Sequence, residues 1–303
     1  MTSSSATPLA VQPPPLRPGD IVRIIAPSGP FDRTLVWRGM GFLSERYRVR
    51  FEPGLFSSQG FLAGSDARRR AELETAIADP DTRAILTARG GYGLTRFIHD
   101  VDLSGLRKAP KWVVGFSDIT ALHVELARAG VQSIHGANVA GLGRGDARGR
   151  QLWVDTLEGR TTAASYSKLQ CWGAGVATGP LLGGNLTMLS TCSAAGRLQI
   201  PQGSVLFIED VAEAPYRIDR MLSSLETSGT LARCCAFIVG TMTDCPPGSH
   251  GVSVESVLRE RLGHLHVPIL AGLQAGHSLP NVPLVLGQRC TVDADTGRFT
   301  MGS

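Results

Sequence analysis

Along this chain, short unbroken apolar runs take turns with longer stretches whose apolar residues recur at helical spacing. The first run, Ile21–Ile25, is rich in β-branched residues and bounded by Pro-Gly on one side and Pro-Ser-Gly-Pro on the other, which is how a buried strand is punctuated. The spacing predicts a helix over 35–47 and a second strand in "YRVRFEP". Ser65 and Asp66 open "ARRRAELETAIADP", a helix with an N-terminal cap signal and a proline stop. "RAILTARGGYG" reads as a third strand entering a glycine-rich turn, "LTRFIHDVDL" as a helix and "KWVVG" as a strand. "ITALHVELARAG" reads as a helix ended by Gly130, and "VQSIHG" as a strand. Strands and helices alternating at these intervals predict a parallel sheet covered on both faces, because parallel neighbours need crossovers. The first half is therefore expected to be a doubly wound α/β domain.

Between 141 and 173 the pattern weakens into Gly, Arg, Thr and Ser, which predicts a linker. It restarts with "GVATGPLLGGNLTMLSTC", the strand "SVLFIED", a helix over "YRIDRMLSSLETSG", the strand "AFIVG", a helix over "VESVLRERLG" and short strands around "VPIL" and "VPLVLG". The opening "MTSSSATPLAVQPPPL" holds no Lys or Arg and no long apolar core. It is a poor secretory signal and reads as a flexible Pro/Ser-rich tail over 1–16.

Composition narrows the function classes. A formal charge of +4 over 303 residues, without a basic block, argues against a nucleic-acid or anionic-membrane partner and for a small-molecule or peptide substrate. No apolar run approaches the ~20 residues of a membrane span. The six cysteines match no zinc spacing and no disulfide scaffold; as buried reduced thiols they suit the cytoplasm.

In a parallel sheet, chemistry gathers at the carboxyl ends of the strands. "GFSD" and "RGGYG" both lie at such ends. Ser117 stands where a strand turns into a helix, as a nucleophile elbow would place it. The match is partial, because Gly115 lies two residues before it but Ile119, not glycine, two after; a helix N-cap is the alternative. Gly90-Gly91-Tyr92-Gly93 supplies neither GxGxxG nor a Walker sequence. It is either an ordinary tight turn or, if it faces Ser117, a source of oxyanion-binding N–H groups. Of seven histidines, His277 lies in a Gly/Ser/Pro/Asn loop that would hold a side chain without embedding it. His135 ends a strand at the functional edge, His123 and His99 read as packing or surface residues, and His264 and His266 lack a third ligand for a metal. Glu209 and Asp210 end an apolar strand, where a carboxylate needs a partner; a salt bridge to Arg217 or Arg220 is the plain alternative.

Together these segments resemble the LD-carboxypeptidases, the serine peptidase family that includes murein tetrapeptide carboxypeptidases and microcin-immunity peptidases. The resemblance runs from about Leu16 onward through "PGDIVRIIAPSGP", "FLAGSDARRRAELETAIADPDTRAILTARGGYG", "KWVVGFSDITALH", "HGAN", "GPLLGGNLTMLSTC", "LFIEDVAEAPYRIDRML" and "AGHSLPNVPLVLG". It implies a Rossmann-like parallel-sheet N-terminal domain over 17–145 carrying the nucleophile, a linker over 146–174, and a β-rich α/β C-terminal domain over 175–303. It implies a catalytic triad of Ser117, Glu209 and His277, oxyanion donors on the backbone of Gly91 and Asp118, no metal or cofactor, and a homodimer. The family's usual His-Gly-Pro-Met is here His135-Gly136-Ala137-Asn138, a change beside the nucleophile that bears on substrate rather than on reaction type.

The implied activity is cleavage of a muropeptide tetrapeptide between the L-centre of its diamino acid and the terminal D-amino acid, in cytoplasmic cell-wall recycling. Arg89 is a candidate for the substrate's C-terminal carboxylate, and Glu213 and Tyr216 for an amine or hydroxyl. Two other readings stand beside it: an immunity-type peptidase acting on a peptidyl or aminoacyl nucleotide, and a non-catalytic α/β protein whose glycine turn holds a nucleotide or phosphate.

Overall fold

The computed structural model describes residues 10–160, 164–248 and 250–302. The first half runs β1 (Ile21–Ile25), α1 (Arg33–Ser44), β2 (Arg48–Arg50), α2 (Asp66–Ala78), β3 (Thr82–Thr87), α3 (Gly105–Lys108), β4 (Trp112–Gly115), α4 (Thr120–Arg128), β5 (Ser133–His135), α5 (Val139–Arg144) and α6 (Ala147–Leu157). The second runs β6 (Ala164–Tyr166), β7 (Gln170–Cys171), β8 (Val176–Asn185), α7 (Leu186–Ala194), β9 (Ser204–Val211), α8 (Pro215–Thr227), β10 (Cys234–Thr243), α9 (Val254–Gly263), β11 (Ile269–Ala271), β12 (Leu284–Leu286), β13 (Arg289–Asp293) and β14 (Arg298–Met301).

The alternating pattern builds a six-stranded sheet in the order β12-β5-β4-β3-β1-β2, parallel from β5 to β2. All five residues of β1 are buried, including Arg23, whose guanidinium is held by Glu52 and Asp79 at 2.8 Å each. Ser65 caps α2 through Arg68 N–H. The second sheet has eight strands in the order β6-β14-β13-β8-β9-β10-β11-β7, with β8 to β11 parallel. β8 is long because it does two jobs: its first half pairs antiparallel with β13 and its second half parallel with β9.

Four expectations change. β12 belongs by sequence to the C-terminal half, yet it pairs antiparallel with β5 and closes the edge of the first sheet, Leu284 opposite His135. The chain therefore crosses back, and a division at 174/175 does not separate the two sheets. The segment 146–174 is not a bare linker; it holds α6, whose Trp153, Val154 and Leu157 pack into the N-terminal core, and the edge strands β6 and β7. "LTRFIHDVDL" forms two single 3-10 turns, 94–96 and 98–100, rather than a helix. Its first N–H, on Leu94, is committed to the Asp118 carboxylate at 2.9 Å, which leaves the segment tied down at its start. Of the expected tail, residues 1–9 lie outside the described residues. Residues 10–16 pack on the first domain: Leu16 is buried, Leu16 N–H reaches Leu157 O, and Trp112 Nε1–H donates to Pro14 O at 2.9 Å.

Among the described residues, one of three core clusters spans both sheets. Apolar residues of α2 and α4 (Leu73, Leu122, Leu126) are continuous with those of α7, α8 and α9 (Leu189, Leu222, Leu258). Each such leucine contributes roughly 2 kcal/mol on burial, so the seam between the halves is built like a domain interior. Among the described residues no helix is long and apolar enough to cross a membrane.

Lys111 fixes the start of β4, the strand that leads to Ser117. Its ammonium is buried and donates to the carbonyls of Ala76, Ile77 and Asp79 at the carboxyl end of α2, at 3.1, 2.6 and 2.5 Å. Replacing it by methionine keeps the stem but strands buried carbonyls that no longer have a donor. Lys111→Met is expected to lower the unfolding free energy by about 1–3 kcal/mol, read from denaturant midpoints; an unchanged midpoint would contradict the capping role.

Candidate active site

Ser117 lies where β4 gives way to α4. A serine there is usually spent on capping, yet neither the 3-10 turn 117–119 nor α4 has a side-chain cap. The backbone instead places Ser117 at φ +67°, a left-handed conformation that costs an L residue about 1–2 kcal/mol. Such strain persists only where the surroundings over-determine it. Here buried Val114 and Gly115 hold one side, and buried Asp118 and Ile119 the other. The hydroxyl is carried on an elbow and left uncommitted, which is the geometry of a nucleophile.

The departure from the two-glycine elbow has a steric explanation. A Cβ on Gly115 would lie 2.4 Å from Thr87 Oγ1 and 2.9 Å from Ile119, so Ile119 fills the space against the glycine that ends β4. The other close approach comes from a different loop: a Cβ on Gly90 would stand 2.8 Å from Ser117 Cβ. The Gly90-Gly91-Tyr92-Gly93 turn therefore lies against Ser117, and Gly91 has φ +105°.

Glu209 and Asp210 are neighbours on β9 and point to opposite faces, as a strand requires. Asp210 is consumed structurally, accepting from Asn185 Nδ2, Thr187 N–H and the Thr187 hydroxyl at 2.8–2.9 Å. Glu209 is fully buried and accepts from His277 Nδ1 at 2.7 Å. Neither carboxylate pairs with Arg217 or Arg220. Burial pushes the Glu209 carboxyl up, and the hydrogen bond and charge of His277 pull it back. The loop that brings His277 over is pinned at both sides: Ala275 O accepts from Thr241 N–H at 3.0 Å, and Gly276 N–H donates to Asn281 Oδ1 at 3.0 Å. Gly276, at φ +127°, must lack a side chain, since a Cβ would lie 2.6 Å from Glu209 Oε2.

With Nδ1 held by a carboxylate, Nε2 is the ring nitrogen left for another partner. Phe116, the residue before Ser117, packs on the His277 ring with centroids 4.8 Å apart, so the imidazole and the elbow are adjacent. Ser117 Oγ and His277 form no hydrogen bond; such contacts commonly tighten only with substrate bound. The two halves are locked together nearby, where Asn185 N–H donates to Thr120 Oγ1 at 3.0 Å. Thr120 opens α4, and Asn185 lies opposite Glu209 across the β8–β9 pair.

Other expected residues fall in different places. His135 is wholly buried, with no partner on either ring nitrogen, and packs against Phe207 (4.9 Å) and Phe116 (6.0 Å). It stands behind the site and cannot touch substrate without rearrangement; burial drives its pKa well down and keeps it neutral. His123 is a satisfied core histidine: Nε2–H donates to Gly115 O at 2.9 Å and Nδ1 accepts from Ser133 at 2.8 Å, with the pKa lowered by burial to about 4. His264 is exposed and bonded to Glu226. Arg89 is exposed beside the glycine turn; Nη1 donates to Pro30 O at 2.7 Å, and among the described residues it pairs with no carboxylate. Glu213 follows β9, its Oε2 buried without a hydrogen bond and 3.6 Å from Arg217 Nη1. Tyr216 is exposed at the start of α8, its hydroxyl accepting from Arg217 Nε at 3.2 Å.

Residue-level reading of the sequence overlooked Phe116, Thr120 and Arg69. Arg69 is fully buried on the apolar face of α2 and donates to the carbonyls of Gly93 and Pro27. Its signal was present: Arg69, Leu73 and Ala76 share one helical stripe, which puts a charge where only apolar residues belong.

Comparison with known proteins identifies the family. Residues 22–136 match the LD-carboxypeptidase N-terminal domain and residues 178–292 the LD-carboxypeptidase C-terminal domain. The murein tetrapeptide carboxypeptidase of Pseudomonas aeruginosa is 31% identical, covering 79% of this chain and 81% of its own length. The crystal structure of muramoyltetrapeptide carboxypeptidase from Oxalobacter formigenes superposes with a TM-score of 0.84 at 28% identity, over 93% of this chain and 99% of that one. MccF in complex with glutamyl sulfamoyl guanosine shares the fold, with a TM-score of 0.87 at 21% identity, over 98% and 99% of the two chains. With both domains matched in order, the chain belongs to the LD-carboxypeptidase family.

Proposed function

We propose that the protein is a serine LD-carboxypeptidase that hydrolyses muropeptide tetrapeptides between the L-centre of the diamino acid and the C-terminal D-amino acid, in the cytoplasmic recycling of cell wall. The observation that carries the reading is the buried Glu209–His277 bond beside an uncapped serine on a left-handed bend. His277 takes the Ser117 proton as Oγ attacks the scissile carbonyl. Glu209 fixes the tautomer and stabilises the imidazolium that forms. The N–H groups of Gly91 and Asp118 receive the oxyanion. The imidazolium then protonates the leaving amine, and water, deprotonated by the same base, hydrolyses the acyl-enzyme.

The test is release of the terminal D-amino acid from purified tetrapeptide, run beside an aminoacyl sulfamoyl nucleotide. Turnover of the first alone supports the proposal. Turnover of the second alone transfers the same chemistry to an immunity-type peptidase, and tight nucleotide binding without hydrolysis of either sinks both.

In this reading Arg89, exposed and without a carboxylate partner among the described residues, binds the substrate's C-terminal carboxylate, which guanidinium geometry suits. Glu213 Oε2, buried without a hydrogen bond and ion-paired with Arg217 Nη1 at 3.6 Å, suits the free ammonium of the diamino acid. Glu213→Gln is expected to raise KM about tenfold, the worth of one charge-assisted hydrogen bond, with kcat changed less than threefold. A substrate N-acetylated at that amine should erase the difference between variant and wild type. Equal KM values on the free amine would remove Glu213 from the site.

A further inference from the structure

The glycine turn that lies on Ser117 is fastened at its far end by two buried side chains from different elements. Asp118 Oδ2 accepts from Leu94 N–H at 2.9 Å, and Arg69 Nη1 donates to Gly93 O at 2.8 Å. Both side chains are essentially without solvent exposure. The near end is fastened independently, by Gly29 N–H on Gly90 O at 3.1 Å and by Arg89 on Pro30 O at 2.7 Å. Gly91 sits between the two fastenings. There is no slack at the far end: Gly93 is at φ +128°, and a Cβ there would stand 2.7 Å from Arg69 Nη1. Arg69 is itself held, by Asp66 on one side and by the Phe97 ring 5.0 Å from its guanidinium carbon on the other.

We propose that the Asp118 carboxylate, backed by Arg69, is a positioning device for the oxyanion site. One residue sets both donors: its own backbone N–H lies at the elbow, and its side chain holds the turn that carries the Gly91 N–H. This goes beyond the backbone role of Asp118 and gives the first residue after the nucleophile a reason to be acidic and buried. A carboxylate taken out of water is costly unless it is bonded. Here Oδ1 makes no hydrogen bond of normal geometry, so the fold accepts part of that cost to keep Oδ2 on Leu94. Preorganised donors matter most where charge develops, and small displacements there are expensive in rate.

The kinetic arm of the test presupposes the hydrolase proposed above; the exchange arm does not. Asp118→Ala is expected to lower kcat about 100-fold, within the range for loss of an oxyanion donor, with KM changed less than threefold. Asp118→Asn keeps an oxygen acceptor for Leu94 N–H and is expected to recover most of the lost turnover. Amide hydrogen exchange over 90–94 should accelerate at least tenfold in Asp118→Ala and stay near wild type in Asp118→Asn. Wild-type kcat in Asp118→Ala, unchanged exchange over 90–94, or equal losses in the alanine and asparagine variants would each overturn the proposal. If Asp118→Ala does not fold, Arg69→Lys decides: it is expected to loosen 90–94 and to lower kcat, and wild-type behaviour on both would overturn the proposal. A wild type that folds but releases no D-amino acid would defeat the hydrolase reading alone, and the exchange result would still stand or fall by itself.

Discussion

Ser117→Ala is expected to cut release of the terminal D-amino acid by at least about 10⁴-fold while leaving KM close to that of the wild type. Loss of the nucleophile removes the covalent route altogether. What survives in such enzymes is the rate supplied by binding and the oxyanion site. A kcat within tenfold of wild type would mean that the serine is a bystander and the Glu209–His277 pair serves another reaction. A second variant separates the chemistry from the fold. Ser117 occupies φ +67°, where glycine is unstrained. Relief of about 1–2 kcal/mol of backbone strain is offset in part by the greater freedom of glycine in the unfolded chain, worth about 0.4–1 kcal/mol. Ser117→Gly should therefore be as inactive as Ser117→Ala but more stable than it, by roughly 0.8 kcal/mol at the middle of these ranges. A glycine variant less stable than the alanine one by about 0.4–1 kcal/mol would show that the bend stores no strain. A more stable, dead enzyme is the expected signature of a site maintained against the preference of its own backbone.

The inner parallel strands of the first sheet were legible because strands buried on both faces leave unbroken apolar runs, and β1, β3 and β4 lie where those runs do. The edge elements were not, for a physical reason. β6 and β7 have exposed residues and no need of an apolar pattern, so a periodicity argument reads them as linker. The three residues of β12 are all buried, but "LVL" carries no information about which sheet it joins. That allegiance is decided by pairing with β5, a contact between residues some 150 positions apart. The site shows the same division. Ser117, Glu209 and His277 were visible as residue types at strand ends and in a loop, whereas the features that set their geometry are tertiary. No local pattern announces φ +67° at a serine, or the fit of Gly276 over Glu209 Oε2. The aromatic bridge from Phe116 to His277 spans both halves of the chain. Arg69 illustrates the intermediate case, hidden in a run of arginines that composition treats as surface and helical phase treats as one buried residue among exposed ones.

Glu209→Gln should separate the roles of the acid in catalysis and in stability, and it is expected to move them in opposite directions. Glutamine fills the same space but presents no charge, and it can donate to Nδ1 of His277, which then favours the tautomer with its proton on Nε2. That nitrogen is the one required as base, so kcat is expected to fall by about 10³–10⁴-fold, as when a triad acid becomes its amide. Stability follows from proton linkage. Burial raises the Glu209 carboxyl above the usual glutamate range, and His277 only partly restores it. The folded state therefore binds this proton more tightly than the unfolded state does. The contribution of Glu209 is fully present below the pKa of an unfolded-chain glutamate, and it is lost as pH rises through the higher folded value. The variant lacks that loss. Asp118 and Glu72, also raised by burial, are common to both proteins and cancel in the difference. Unfolding free energies measured from pH 4 to pH 7.5 should thus diverge in favour of Glu209→Gln as pH increases, while its turnover stays near background throughout. Parallel stability curves would mean that His277 fully compensates the buried charge, and a variant with near-normal kcat would show that the acid does not serve the base at all.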